Sequence, residues 1–156
     1  MDDPDNLLLQ SATVVLGSGF NSAEDRLVFT DQNGITGNYD NTTGVLSLLG
    51  SATVTDYETA LRSVAFENIS ENPDTTIRSV TYTASDGLFP GNTVTRNIEI
   101  TAINDPVVLA GIENIPLNYT ENDAATAVSS TLTVTDLDQL DLQSACLLYT
   151  SDAADE

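Results

Sequence analysis

Acidic side chains recur in this chain at short, fixed spacings. They stand at Asp3-x-Asp5, at Asp86 within Ala84-Ser85-Asp86-Gly87, at Asn104-Asp105 within Ile103-Asn104-Asp105-Pro106, and at Asp136-x-Asp138. Carboxylates and amides are hard oxygen donors, and a calcium ion takes about six to eight oxygens. An Asp-x-Asp pair at a strand end or in a loop can aim both carboxylates at one ion. The pattern is not an EF-hand, because the central Gly and the Glu at the twelfth position are missing. Each motif also has a plainer reading: Asp before Gly forms turns, and Asn-Asp-Pro serves as a linker. The combination and order of the four point to Ca2+ as the expected cofactor.

Other chemistries lack their residues. There is no histidine, and the single cysteine is Cys146, so no Ser-His-Asp or Cys-His arrangement can be built. Zinc loses its usual ligands for the same reason. No phosphate-cradling glycine loop and no nucleophile elbow is present. Nothing singles out a carboxylate pair for glycoside hydrolysis. An enzyme is not expected.

Charge narrows the partners. Twenty-four acidic residues face four arginines, Arg26, Arg62, Arg78 and Arg96, for a net charge of −20. Such a chain repels nucleic acid and anionic membrane and attracts cations. A solvated acidic surface of the salt-tolerant kind is the alternative reason for the charge. No apolar run of about 18 residues exists, so no membrane insertion is expected. The first residues, Met1-Asp2-Asp3-Pro4-Asp5, lack the basic and apolar regions of an export signal. Either the protein is cytosolic or this is a fragment with its signal elsewhere. Three glycosylation sequons, at 41–43, 68–70 and 118–120, are given no weight, since Asn- and Thr-rich strands produce them by chance.

The elements that must position these acids read as strands. Short alternating stretches rich in Val, Ile, Thr, Tyr and Phe lie at 26–30, 44–50, 63–69, 78–85, 94–103, 117–121 and 130–136. Turn signals separate them at 31–34, 41–44, 85–87 and 89–92. This spacing predicts an all-β sandwich. One short helical turn is expected near 56–62, with Thr55 as N-cap, Glu58 completing a capping box, and Tyr57, Ala60 and Leu61 on one face.

The chain also repeats itself. Residues 2–12 match residues 135–145 at seven of eleven positions, at one offset of 133. Asp3 aligns with Asp136, Asp5 with Asp138, and Leu9-Gln10-Ser11-Ala12 with Leu142-Gln143-Ser144-Ala145. A fixed period of domain length implies a tandem array of like modules.

The stretch TYTASDGLFPGNTVTRNIEITAINDPV (81–107) resembles the end of a bacterial cadherin-like repeat of the dystroglycan type, found in tandem arrays on large surface adhesins. Residues 56–87 resemble the middle of the same unit, and 117–138 its beginning. The resemblance implies a cadherin/immunoglobulin-like β-sandwich with calcium bound between successive modules. It groups Asp3, Asp5 and Asp86 in one site. It groups Asn104 and Asp105, as linker, with Asp136 and Asp138 in a second. Glu121 resembles the acidic residue of the first strand, which serves the far end of its own module. On this reading residues 1–105 are a sandwich lacking its first strands. Residues 106–145 are the first strands of the next repeat, which can also fold back as a permuted module. The implied role is a calcium-stiffened structural or adhesive module, extracellular or at the cell surface. Its partners would be neighbouring repeats of the same chain, with surface proteins or glycans beyond them. The alternatives are a glycan- or protein-ligand-binding module and a noncatalytic accessory domain of a secreted enzyme.

Residues 146–156, CLLYTSDAADE, resemble a translated sequencing-library adapter and begin directly after the repeated Leu-Gln-Ser-Ala. They are expected to be an artefactual tail. Without them the chain has 21 acidic residues, a net charge of −17 and no cysteine.

Overall fold

A computed structural model describes residues 8–138, 142 and 144–146. The chain is mostly β, with antiparallel sheets and one short helix, and none of these sheets closes into a barrel among the described residues. It divides into two compact units, Met1–Ile103 and Asn104–Glu156. Among the described residues, no helix is long and apolar enough to cross a membrane.

Unit 1 is built on a five-stranded sheet. The strands are β1 (Leu8–Leu16), β3 (Thr36–Asp40), β4 (Val45–Thr53), β6 (Arg78–Ser85) and β7 (Val94–Ile98), in the order β3-β4-β1-β6-β7. A two-stranded ribbon, β2 (Asp25–Val28) with β5 (Ala65–Asn68), adds Leu27 and Phe66 to the same apolar cluster. Alternation explains which faces are buried, since side chains of a strand point to opposite sides. Ala12 sits between Leu48 and Ala84, and Val14 between Leu46 and Tyr82, so each inner row runs across three strands. Where β1 meets the end of β4 the register shifts. Leu9 pairs with Ala52 and Ala12 with Leu48, three positions apart in β1 but four in β4, and all four are buried. The extra residue is a β-bulge. Gly50 lies at this irregularity with φ 150°, and a Cβ there would sit 2.2 Å from the Gly34 carbonyl oxygen.

The helix α1 (Val54–Ser63) follows β4 directly. Its N-cap is two residues earlier than the Thr55 of the expected Thr55–Glu58 capping box. Thr53 is the N-cap: its hydroxyl accepts from the Asp56 amide at 3.1 Å and donates to the Asp56 carboxylate at 2.6 Å. Thr55 lies inside the first turn, where its carbonyl accepts from the Thr59 hydroxyl. The buried residues are Tyr57 and Ala60, on the face the sequence indicated. The Tyr57 hydroxyl donates to the Gly50 carbonyl at 2.7 Å, and burial pushes its pKa up.

Several strands differ from the sequence reading. β1, β3 and the short β8 (Val108–Ala110) were not anticipated. β6 keeps the expected bounds of 78–85. β7 stops at Ile98, opposite Arg78, where β6 begins and the pairing partner runs out. Residues 117–121 form no strand. There Asn122 takes φ 75°, the Thr120 amide bonds the Asp123 carboxylate, and the Tyr119 hydroxyl bonds the Asp123 carbonyl. This local turn satisfies backbone groups that a strand would need.

Arg78 ties unit 1 together at one end. Its side chain is fully buried, with Nε 3.0 Å from Asp25 Oδ2, itself fully buried. Asp25 also accepts from Asn68 Nδ2 at 2.8 Å and from the Asn21 amide at 2.9 Å. The rest of the guanidinium reaches the carbonyls of Asp74 and Thr76 and the Glu24 carboxylate. Two segments, 24–25 and 74–76, thus converge on one cation, with the buried carboxylate fully hydrogen-bonded as such a pair requires.

In unit 2, β8 pairs with β9 (Thr133–Thr135) as an exposed ribbon. Glu113 fastens the loop beside it, accepting from the Ser129 hydroxyl and from both the amide and hydroxyl of Ser130. Those bonds hold the Glu113 carboxyl down to about 2, well below its ordinary value.

Candidate metal centre

The acids singled out in the sequence fall in different settings. Asp3 and Asp5 lie outside the described residues. Asp86 opens the loop after β6 in unit 1. Its Oδ1 accepts from the amides of Leu88 at 2.9 Å and Phe89 at 3.0 Å, first-turn bonds that hold the carboxyl below its usual range. The turn-forming reading of Asp before Gly is therefore realised here. The loop it organises presents Leu88 and Phe89 to solvent, 77% and 78% exposed.

Unit 2 contains the linker and the second Asp-x-Asp pair. The Asp105 amide donates to Asp138 Oδ2 at 2.9 Å. The Asp138 amide donates in turn to Asp136 Oδ1 at 3.2 Å. Asn104 Nδ2 closes on the Asp105 carbonyl at 2.7 Å. Residues 33 positions apart thereby share one polar cluster. The Asp105 amide holds the Asp138 carboxyl below its usual range. Asp105, Asp136 and Asp138 are half-buried, and Asn104 is exposed.

Glu121 is exposed in the turn that replaces the expected strand, and none of these hydrogen bonds involves it. Among the described residues, no group of three or more carboxylate, cysteine or histidine side chains is arranged to hold a metal ion. Asp136 and Asp138 offer two carboxylates, with the Asn104 amide and nearby carbonyls as further oxygens. That is short of the six to eight or so oxygens calcium takes, so water or further chain would have to supply the rest.

Sequence reasoning missed the Glu113 fastening and the Arg78–Asp25 pair. Their partners lie 16 and 53 positions away, with no local spacing to reveal them. The only cysteine, Cys146, is exposed, and residues 147–156 lie outside the described residues.

No family model matches the chain, and no solved structure matches it. The cadherin-like assignment thus gains no support from that direction. One curated relative does match: halomucin from the archaeon Haloquadratum walsbyi (strain DSM 16790 / HBSQ001), 43% identical over 68 residues. The match covers 40% of this chain and 1% of halomucin, so the chain is similar to one short stretch of a very long polypeptide from an archaeon rather than a bacterium.

Proposed function

We propose that this chain is a structural or adhesive repeat module of a large extracellular protein. Each module is a cadherin-like sandwich, and calcium bridges successive copies. It performs no catalysis. Its immediate partners are the neighbouring repeats, and surface proteins or glycans lie beyond them.

The observation that carries this reading is the 2.9 Å bond from the Asp105 amide to Asp138. It draws the linker Asn104-Asp105 against the Asp136-x-Asp138 pair that opens the next repeat. Like charges gathered at a junction repel one another, and a divalent cation removes that repulsion and bridges them. The partial likeness to a very long polypeptide supports a module within a long chain. The site is expected to bind calcium at about 10⁻⁴–10⁻³ M, the range of extracellular modules.

The test is a two-repeat chain, residues 1–145 followed by residues 13–145 so that the period of 133 is kept, titrated with calcium and, separately, with magnesium. Calcium is expected to raise the melting temperature by mass action and to lengthen the particle in X-ray scattering. Asp136→Asn with Asp138→Asn should abolish both effects. A two-copy chain whose melting and length ignore calcium would end the ion-bridge reading.

A second reading, a ligand-binding module, draws on the exposed Leu88 and Phe89 beside Asp86. A specific hit on a glycan array, lost on Phe89→Ala, would favour it.

A further inference from the structure

Among the described residues, the core face of unit 1 is left open on one side. Val80 pairs with Arg96 and Tyr82 with Val94, so Val94, Arg96 and Ile98 lie on the same face of the sheet as the buried Val80. Yet Val94 is 57% exposed, and Arg96 is exposed as well. Across from this face stands β5, which among the described residues pairs with β2 alone. Between β5 and the sheet lies a hollow of about 430 Å³, and beside it, between α1 and the sheet, a second of about 480 Å³. Both are lined by Val64, Tyr82 and Arg96, so they join into one groove running from Leu61 of α1 to Ile98 of β7. A groove with an apolar floor beside an unpaired strand edge has the shape of a missing strand.

Unit 2 has the converse property. Its ribbon exposes Val108 and Leu109 at 53% and 66%, and Leu132 and Val134 at 50% and 45%. A lone two-stranded ribbon is marginal in water and needs an apolar surface to cover it. The repeat offset of 133 supplies the link. Asp136 corresponds to Asp3, so in a tandem array the stretch ahead of Asp3 is the counterpart of residues 107–135.

We propose that the groove of unit 1 seats this preceding stretch, so that each sandwich is completed by strands from across the repeat boundary. This rests on the tandem-array reading above. Leu132-x-Val134 has the alternation needed to fill the groove from one face while its backbone pairs with the free edge of β5. Two arginines, Arg62 and Arg96, and two acids, Glu58 and Glu99, line the groove, so its charges balance and the apolar match carries the proposal.

The test joins a second copy of residues 107–135 ahead of Asp3 in the chain 1–145 and compares it with the parent. Two readouts serve: binding of the dye ANS, and amide hydrogen exchange at 65–68 and 94–98. The extended chain is expected to lose most of the dye signal and to slow exchange at both strands by about tenfold or more. Leu132→Asp with Val134→Asp, placed only in the added copy, should undo both changes. An extended chain indistinguishable from its parent overturns the proposal. So does a parent that is already protected at both strands, since its groove would then not be reserved for the preceding stretch. If the groove stays open while the two-copy chain still stiffens with calcium, this inference fails and the array reading stands. If the groove closes but calcium does nothing, the failure lies with the ion bridge.

Discussion

Replacing Arg78 with methionine removes the one cation that Asp25 faces in the interior among the described residues. The substitution keeps most of the side-chain volume, so the loss is electrostatic rather than steric. Asp25 accepts three hydrogen bonds, from Arg78 Nε at 3.0 Å, Asn68 Nδ2 at 2.8 Å and the Asn21 amide at 2.9 Å. After the change two remain, both from neutral donors, on a carboxylate with no exposure to water. Breaking a fully buried pair from one side costs about 3–5 kcal/mol. The lost bonds to the Asp74 and Thr76 carbonyls add little, because those loop residues are exposed and water can replace the arginine. A loss of about 4 kcal/mol is a large share of the roughly 5–15 kcal/mol that holds a domain together. For a chain of this size it lowers the melting temperature by roughly 10 °C. Urea unfolding followed by circular dichroism reads the change as a lower midpoint at constant slope. The decisive comparison is the double variant, Arg78→Met with Asp25→Asn. Neutralising the orphaned carboxylate should recover about 2 kcal/mol, a coupling that independent sites would not show. Arg78→Lys should fall between, since it keeps the charge but loses the planar fork. A loss below about 1 kcal/mol for Arg78→Met, or strict additivity in the double variant, would refute the reasoning.

Thr53→Ala should destabilise by about 1 kcal/mol through loss of the cap, whereas Thr55→Ala should cost only a few tenths, as read by thermal melting. Gly50→Ala meets the Gly34 carbonyl at the bulge, and a loss of at least about 2 kcal/mol in urea is expected. Glu113 titrates at about 2 in the folded chain against an ordinary 4.5. Its depressed value means that its stabilising contribution is complete above about 4.5 and disappears as pH falls toward about 2. The Ser130 amide resonance in an acid titration should therefore hold its folded position through pH 4.5 and shift only near 2. Glu113→Gln should remove that pH dependence.

Local signals in the sequence located elements whose residues carry their own instructions. The alternation of Arg78, Val80 and Ala84 with Ser79, Thr81 and Ser85 sets β6 to the residue, because a one-position slip would turn the buried set outward. Asn33 and Gly34 both take positive φ, as a tight turn there demands. The central β1 escaped notice because its apolar and small residues run nearly unbroken through Thr13, Val14, Val15 and Leu16, as befits a strand flanked on both sides. The cap moved from Thr55 to Thr53 because Thr53 ends β4 with extended backbone, at φ −66° and ψ 159°, and three-residue spacing alone could not choose between two threonines. At the candidate centre, residue types and the Asp-x-Asp spacing were legible. The bond from the Asp105 backbone to Asp138 was not, since it depends on how the chain returns after 33 residues.

The strand directions in unit 1 carry a mechanical consequence. β1 and β7 both run antiparallel to β6, so they are parallel to each other, and the chain enters at Leu8 on one end of the sheet and leaves at Ile98 on the other. The two points stand about 30 Å apart along the strands at ~3.3 Å per residue. Tension applied between them pulls β1 and β7 in opposite senses past β6. Every hydrogen bond across the six pairs of β1 with β6 and the five of β6 with β7 then resists at once, rather than parting one after another. A unit wired in this way yields in shear, the stiffer of the two modes.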